Sequence, residues 1–323
     1  MASQADQAHV DRYKEHNIIY NPDDTLTRLI TFPCTSTTDH NSLPNQPVFT
    51  QDIPLNPINK TWMRLFKPSN PQPPKTKLPL ILYFHGSGFI IGSASNSTFH
   101  DFCTSMAIEL SCVVLSLGYR LAPESRLPAA YEDAMEAIDW VRNKALDLGS
   151  DNCLKEVVDF SKCYLMGISS GGNMVYHAGL RVLSMDLHPM IIKGLILNHP
   201  FFGGLKRTNS ELRLANDKFS LAFTDIMWEL SLPKVFDRDH EYCNPMVEGS
   251  NKDKIGLLGR CFVSGCGGDI LIDRQMEFAK MLEEKGASVV TWFEEEGCHG
   301  VELFEPEKTR ALFFLLKEFI SGQ

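Results

Sequence analysis

The chain has 323 residues, of which 43% are hydrophobic, 22% charged and 10% aromatic; this is an ordinary globular profile that excludes disordered and fibrous classes. Its length suits one α/β core with an added cap better than two large domains. A formal net charge of −9 with both signs interspersed, and no basic stripe, argues against nucleic acid as a partner and leaves neutral or cationic small molecules open.

Residues 1–17 (MASQADQAHVDRYKEHN) contain no apolar core of a signal peptide. No run approaches the roughly 20 apolar residues that span a bilayer. The expectation is a soluble, cytoplasmic protein with no membrane partner. Its nine cysteines are odd in number, scattered and without a Cys-x-x-Cys, which reads as free thiols in a reducing compartment.

The first 75 residues are poor in periodicity and rich in Pro, Asn and Thr. They read as an N-terminal arm and an early pair of strands, one of them TWMRLFKP at 61–68. PSNPQPPKTK then reads as a solvent loop. From residue 78 the pattern changes. LPLILYFHG is a continuous apolar run ending at a glycine, as a buried strand of a mostly parallel sheet should be. CVVLSLGYR, KCYLMG, GLILNHP, RCFVSG and SVVTWF repeat that character further along the chain. Helical stretches lie between them at 131–146, 171–183 and 273–286, and another closes the chain at 309–322. The first of these places Ala134, Ile138, Val141 and Ala145 on one face. The third has acids early and a Lys-Gly finish. Strands alternating with helices predict a parallel sheet covered on both faces. Residues 205–250 break the rhythm. Such an insertion commonly becomes a cap, so the chain reads as one α/β domain over 1–323 with cap segments at about 1–45 and 205–250.

Gly167-Ile168-Ser169-Ser170-Gly171 sits between a strand and a helix, the context in which G-x-S-x-G carries a nucleophile. A serine hydroxyl is weak at its free pKa and needs a base oriented by a third group. The order in this fold is serine, acid, histidine. His299 follows the last sheet strand and is the candidate base; His177 should pack on its helix, and His199 merely ends a strand. Asp269 follows the 260–265 strand directly and is the candidate acid. Asp273 is its competitor and more plausibly caps the following helix. His85-Gly86-Ser87-Gly88-Phe89 forms a glycine-rich turn at the end of a strand. Gly86, Ser87 and Ser170 N–H are the candidate oxyanion donors, with His85 holding the turn. Phe89, Ile90, Phe201, Phe219, Phe223 and Trp228 are candidates for the substrate pocket by position, with ordinary core packing as the competing reading of each.

Together GISSGGN, YRLAPESRLPAAYEDAMEAIDW, HPFFGG, DRDHEYCNP, GGDILIDRQ and the late CHG resemble the plant carboxylesterase family, related to the hormone-sensitive-lipase group. The likeness runs from about residue 18 to 320. It implies the α/β-hydrolase fold, with a twisted, mostly parallel eight-stranded sheet and a helical cap drawn partly from the N-terminus. It also implies Ser169, Asp269 and His299 as nucleophile, acid and base, with no metal or organic cofactor. Two positions depart from the family pattern: HGSG replaces HGGG at Ser87, and Ile168 replaces the usual acid before the serine. The leading expectation is a serine carboxylesterase acting on a small-molecule ester, a monomer or homodimer. An esterase-like enzyme catalysing elimination or cyclisation is the alternative, and a gibberellin-type receptor is disfavoured because His299 is present.

Overall fold

The computed structural model describes residues 12–38, 46–70, 76–147, 149, 153–215, 220–249 and 251–322. A short antiparallel hairpin, β1 (Ile18–Tyr20) with β2 (Leu26–Arg28), precedes the main sheet. That sheet has eight strands: β3 (Val48–Asn56), β4 (Thr61–Pro68), β5 (Leu78–Phe84), β6 (Val113–Gly118), β7 (Val158–Ile168), β8 (Ile192–Asn198), β9 (Arg260–Cys266) and β10 (Ser288–Glu294). Their order is β10-β9-β8-β7-β5-β6-β4-β3. The pairings from β10 through to β6 are parallel, and β4 and β3 add antiparallel. This is the mostly parallel eight-stranded sheet that the sequence implied.

The continuous apolar runs follow from cover on both faces. In β5, Leu80 and Leu82 enter one core with α2 (Ala129–Leu146) and α4 (Ser170–Val182), while Ile81 and Tyr83 enter the other with α1 (Ser97–Glu109) and α8 (Pro306–Ser321). The period-2 alternation of side chains thus divides one strand between two helical layers. Helix α7 (Ile272–Glu284) buries Phe278 and Leu282 in the first layer. The short α3 (Cys153–Val157) leads into β7.

Three expectations need correction. Helix α1 was not foreseen, although Phe99, Phe102, Cys103, Met106 and Ala107 recur at helical spacing and are buried. The usual signals of its ends are missing: Asn96 makes no cap bond, no acid sits in the first turn and no base in the last. The strand at 288–293 is not buried; β10 is the sheet edge, with Ser288, Val290 and Thr291 exposed. Asp273 is not the N-cap of α7. It is the second residue of that helix and accepts a hydrogen bond from Ser210 N at 2.8 Å.

Within 205–250 the chain forms α5 (Asn209–Arg213), opened by a Thr208–Glu211 capping box, and α6 (Leu221–Ser231), capped by Ser220. The N-terminal arm packs on α6: Tyr13 Oη donates to Glu229 at 2.6 Å, Arg12 pairs with the same carboxylate, and His16 stacks on Phe223 at 4.7 Å. Residues 1–11, 39–45, 216–219 and 250 of the expected cap segments, Phe219 among them, lie outside the described residues. The eight cysteines whose side chains are described are free, six of them buried. Among the described residues, no helix is long and apolar enough to cross a membrane.

Candidate active site

The carboxyl ends of β5, β7, β8 and β9 lie side by side, where sites of open α/β sheets gather. Register brings them level: Phe84 pairs with Gly167, Ile168 with Asn198, and Asn198 with Ser264. The ladder extends one residue past the strands, through Ser169 N to Asn198 O at 3.0 Å and His199 N to Ser264 O at 2.9 Å.

Between β7 and α4 the chain reverses at Ser169, whose φ of 56° and ψ of −121° are strained for a residue with a side chain. The turn closes because Gly171 lets the first turn of α4 approach β5; a β-carbon there would lie 1.9 Å from Phe84 O. Ser169 Oγ is thereby presented to His299 Nε2 at 2.8 Å. His299 Nδ1 lies 2.7 Å from Asp269 Oδ2. A carboxylate only accepts, so Nδ1 carries the proton and Nε2 is left to accept from the serine hydroxyl. Asp269 is wholly buried; burial opposes its charge, but the His299 and His199 imidazoles hold its carboxyl well below the usual carboxylate range. Its Oδ1 accepts from Leu271 N at 2.9 Å, and Oδ2 also accepts from Gln275 Nε2 at 2.8 Å.

The glycine-rich turn after β5 lies against the serine. A β-carbon on Gly86 would be 3.2 Å from that of Ser169. Ser87 has φ 87°, in the region that favours glycine, so the HGSG departure is a strained one. His85 packs its ring on Tyr119 at 4.3 Å and makes a 2.8 Å contact from Nδ1 to Gly86 O, while Tyr119 Oη donates to His85 O at 3.0 Å. Burial pushes His85 down to about 4, so the ring is neutral. His177 packs as expected, stacked on Tyr131 at 4.6 Å.

Above Ser169 opens a cavity of about 310 Å³. Gly86, Ser87, Ser169 and His299 line it; Ser170 does not. Its walls are Phe32, Ile91, Phe99, Ile168, Phe223, Met227, Leu303 and Phe304, with Asn96 and Thr98 as the polar members; no Asp, Glu, Lys or Arg lines it among the described residues. Of the described candidate pocket residues, only Phe223 faces this space; Phe219 lies outside the described residues. Phe89, Ile90, Phe201 and Trp228 are core residues, each at most 1% exposed, with Phe201 and Trp228 stacked 4.6 Å apart. Packing between α6 and the sheet takes these rings inward. The wall residues missed by sequence reasoning come from separate segments with no shared motif. Ile168, already noted as a departure, was the one available signal: it makes the wall beside the serine apolar.

His199 was set aside as a strand-ending residue. It is buried with Nδ1 at 2.9 Å from Asp269 Oδ2 and Nε2 at 3.1 Å from Glu302 Oε1. His199, Asp269 and His299 bring three potential metal donors within 4.8 Å of one another. Both Nδ1 atoms approach the same carboxylate oxygen at hydrogen-bond distance, so the cluster fits a proton network, and a cation would have to displace two N–H protons.

A strained serine between parallel strand and helix, facing a histidine and an acid carried by later loops, marks the α/β-hydrolase class. A family model described as the α/β-hydrolase fold matches residues 81–303. A 3-O-acetylpapaveroxine carboxylesterase of Papaver somniferum is 49% identical over 320 residues, covering 96% of this chain and 97% of that protein. Carboxylesterase 20 of Arabidopsis thaliana is 46% identical over 322 residues, covering 96% of each. A hyperthermophilic esterase from Pyrobaculum calidifontis superposes with a TM-score of 0.70 at 25% identity, over 86% of both chains. The chain belongs to the plant carboxylesterase family, in the hormone-sensitive-lipase-like group of α/β hydrolases, and is a carboxylic ester hydrolase.

Proposed function

We propose that this protein hydrolyses an uncharged small-molecule ester of plant specialised metabolism, such as an alkaloid or other natural-product ester, through an acyl-enzyme on Ser169. The observation that carries this reading is the 2.8 Å contact between Ser169 Oγ and His299 Nε2 on the floor of an apolar cavity. His299 takes the serine proton as Oγ attacks the ester carbonyl, and Asp269 holds the imidazole and stabilises its charged form. The carbonyl oxygen, now negative, is held by Gly86, Ser87 and Ser170 N–H. The C–O bond breaks as His299 protonates the departing alcohol. Water, deprotonated by the same histidine, then releases the acid and restores the serine.

An uncharged substrate follows from the lining, since a charged group there would lose its hydration without a partner. The poppy relative named for 3-O-acetylpapaveroxine supports a natural-product ester. On this reading the N-terminal arm and α6 act as a cap, because Phe32, Phe223 and Met227 close the cavity from that side. Every group in the cycle comes from one chain and needs no cofactor.

The test is turnover of p-nitrophenyl acetate and butyrate by the native protein and its Ser169→Ala variant. Native turnover that falls by about 10⁴-fold or more in the variant supports the reading. Turnover that survives Ser169→Ala removes the acyl-enzyme. No turnover in either protein removes the proposed acyl-enzyme for small esters of this kind and narrows the substrate to a larger ester. A general base must be unprotonated to accept the serine proton, so a rate that does not fall on acidification contradicts the role of His299.

A further inference from the structure

His199 and Glu302 have no part in the cycle above, yet they sit directly behind it. The imidazole is wholly buried and bridges two carboxylates, Asp269 Oδ2 at 2.9 Å and Glu302 Oε1 at 3.1 Å. Glu302 is 2% exposed and lies three residues after His299. Ionised carboxylates only accept, so both ring nitrogens of His199 donate and the ring is an imidazolium. Burial disfavours that charge, but Glu302 and Asp269 outweigh it and push His199 up to about 10. Glu302 is correspondingly held below its ordinary value by His199, against its own burial. Two buried carboxylates alone would place a charge of −2 behind His299. With His199 charged the group carries −1, the charge of a single acid.

We propose that His199, locked by Glu302, is a positioning residue for ester hydrolysis: it aims Asp269 Oδ2 at His299 and cancels the second buried carboxylate. The proposal rests on the reading of Ser169, His299 and Asp269 given above. Asp269 is then fixed by four donors on three segments: His199 after β8, Leu271 and Gln275 at the start of α7, and His299 after β10. Two of the other titratable groups facing the cluster are held neutral by burial. Burial pushes the Cys266 thiol up to about 12 and the Tyr83 phenol well above its ordinary value. Asn198, behind Glu302, is an amide held by Ser264 Oγ at 2.5 Å. Cys298 is exposed beside His299, and a surface recess beyond Glu302 carries Asp101, Glu109 and Arg310.

The test compares pH profiles of kcat/KM for His199→Gln, Glu302→Gln and the double variant, each first shown to be folded and to bind a fluorophosphonate at Ser169. His199→Gln lowers kcat/KM about 10- to 100-fold, mainly through kcat, because Asp269 loses a donor that aims it. It also moves the acid limb up by about one pH unit, since −2 now faces His299. Glu302→Gln moves that limb the other way, and the double variant returns it towards the native position. Limbs that stay put, or that move the same way in both single variants, overturn the proposal and leave His199 a packing residue. Nitrogen-15 spectra of the native protein provide a check that needs no variant: both ring nitrogens of His199 must be protonated at neutral pH, and a neutral tautomer overturns it. Failure to label Ser169 in the native protein would instead sink the acyl-enzyme reading, so the two failures are distinct.

Discussion

The sheet side of the cavity and its α6 side, the cap side on the proposed reading, are held by different forces. On the sheet side, Ser169 and His199 extend a backbone ladder, and Gly171 seats against Phe84 with no space for a methyl group. On the cap side no ladder crosses among the described residues. There helix α6 has a single long-range backbone tie, Leu127 N to Ser231 O at 2.9 Å, and is otherwise tied down by side chains: Tyr13 on Glu229 at 2.6 Å, His16 on Phe223, and Arg126 Nη1 on Glu229 O at 2.7 Å and Leu232 O at 2.8 Å. On the proposed mechanism, the groups that need sub-ångström placement sit on the rigid part, and the walls facing the substrate sit on the part that side-chain changes can reshape.

The sharpest way to break that contrast is Gly171→Ala. Its β-carbon would overlap Phe84 O, and only backbone movement relieves it, so a loss of about 3 kcal/mol or more is expected, together with the elbow geometry. Chemical denaturation read beside esterase turnover checks this; a stable, active variant would mean the elbow is looser than its packing.

The sheet side also sets the pH range of stability. His85 and His177 are held neutral by burial, at about 4 and about 3, so the unfolded chain binds more protons below its ordinary histidine value. Stability therefore falls as pH drops from about 6.5 towards 4. His199 has the opposite sign. Its stabilising charge is fully present below about 6.5 and is lost as pH rises to about 10. Melting temperatures at pH 5, 7 and 9 should peak at the middle value; a monotonic trend would contradict one set of histidines.

On the cap side, Phe223→Ala should cost less stability than Gly171→Ala, losing the His16 stack but straining no backbone. It should lower kcat/KM for p-nitrophenyl butyrate about tenfold, with a smaller change for the acetate. An equal loss on both esters would place Phe223 in the structure of the site and not in its selectivity. The smallest effect is expected from Ser87→Gly. Release of the strain at φ 87° should stabilise the protein by about 1 kcal/mol, with a rate change under about tenfold. A drop in stability would show that the Ser87 side chain contributes more than its backbone costs.

Sequence reasoning reached the parallel strands, four of the helices and the residues that converge on Ser169, because those signals are local: apolar runs, a G-x-S-x-G between strand and helix, and chain order. The pocket was not legible in the same way. Helix α6 carries apolar residues on more than one face, and only its rotation against the sheet turns Phe223 and Met227 to the cavity and Ile226 and Trp228 to the core. Phe32, Phe99 and Leu303 reach the same space from segments that share no motif. His199 looked like a strand end because its two acids lie 70 and 103 residues away.

The amino-acid sequence by itself therefore determined the class of enzyme and the candidate residues for its chemistry, since a G-x-S-x-G between strand and helix is a local signal. Tertiary structure decided which side chains form the walls, and it joined His199 and Glu302 to Asp269. Both outcomes depend on the packing of distant segments and on the burial that gives paired charges their strength.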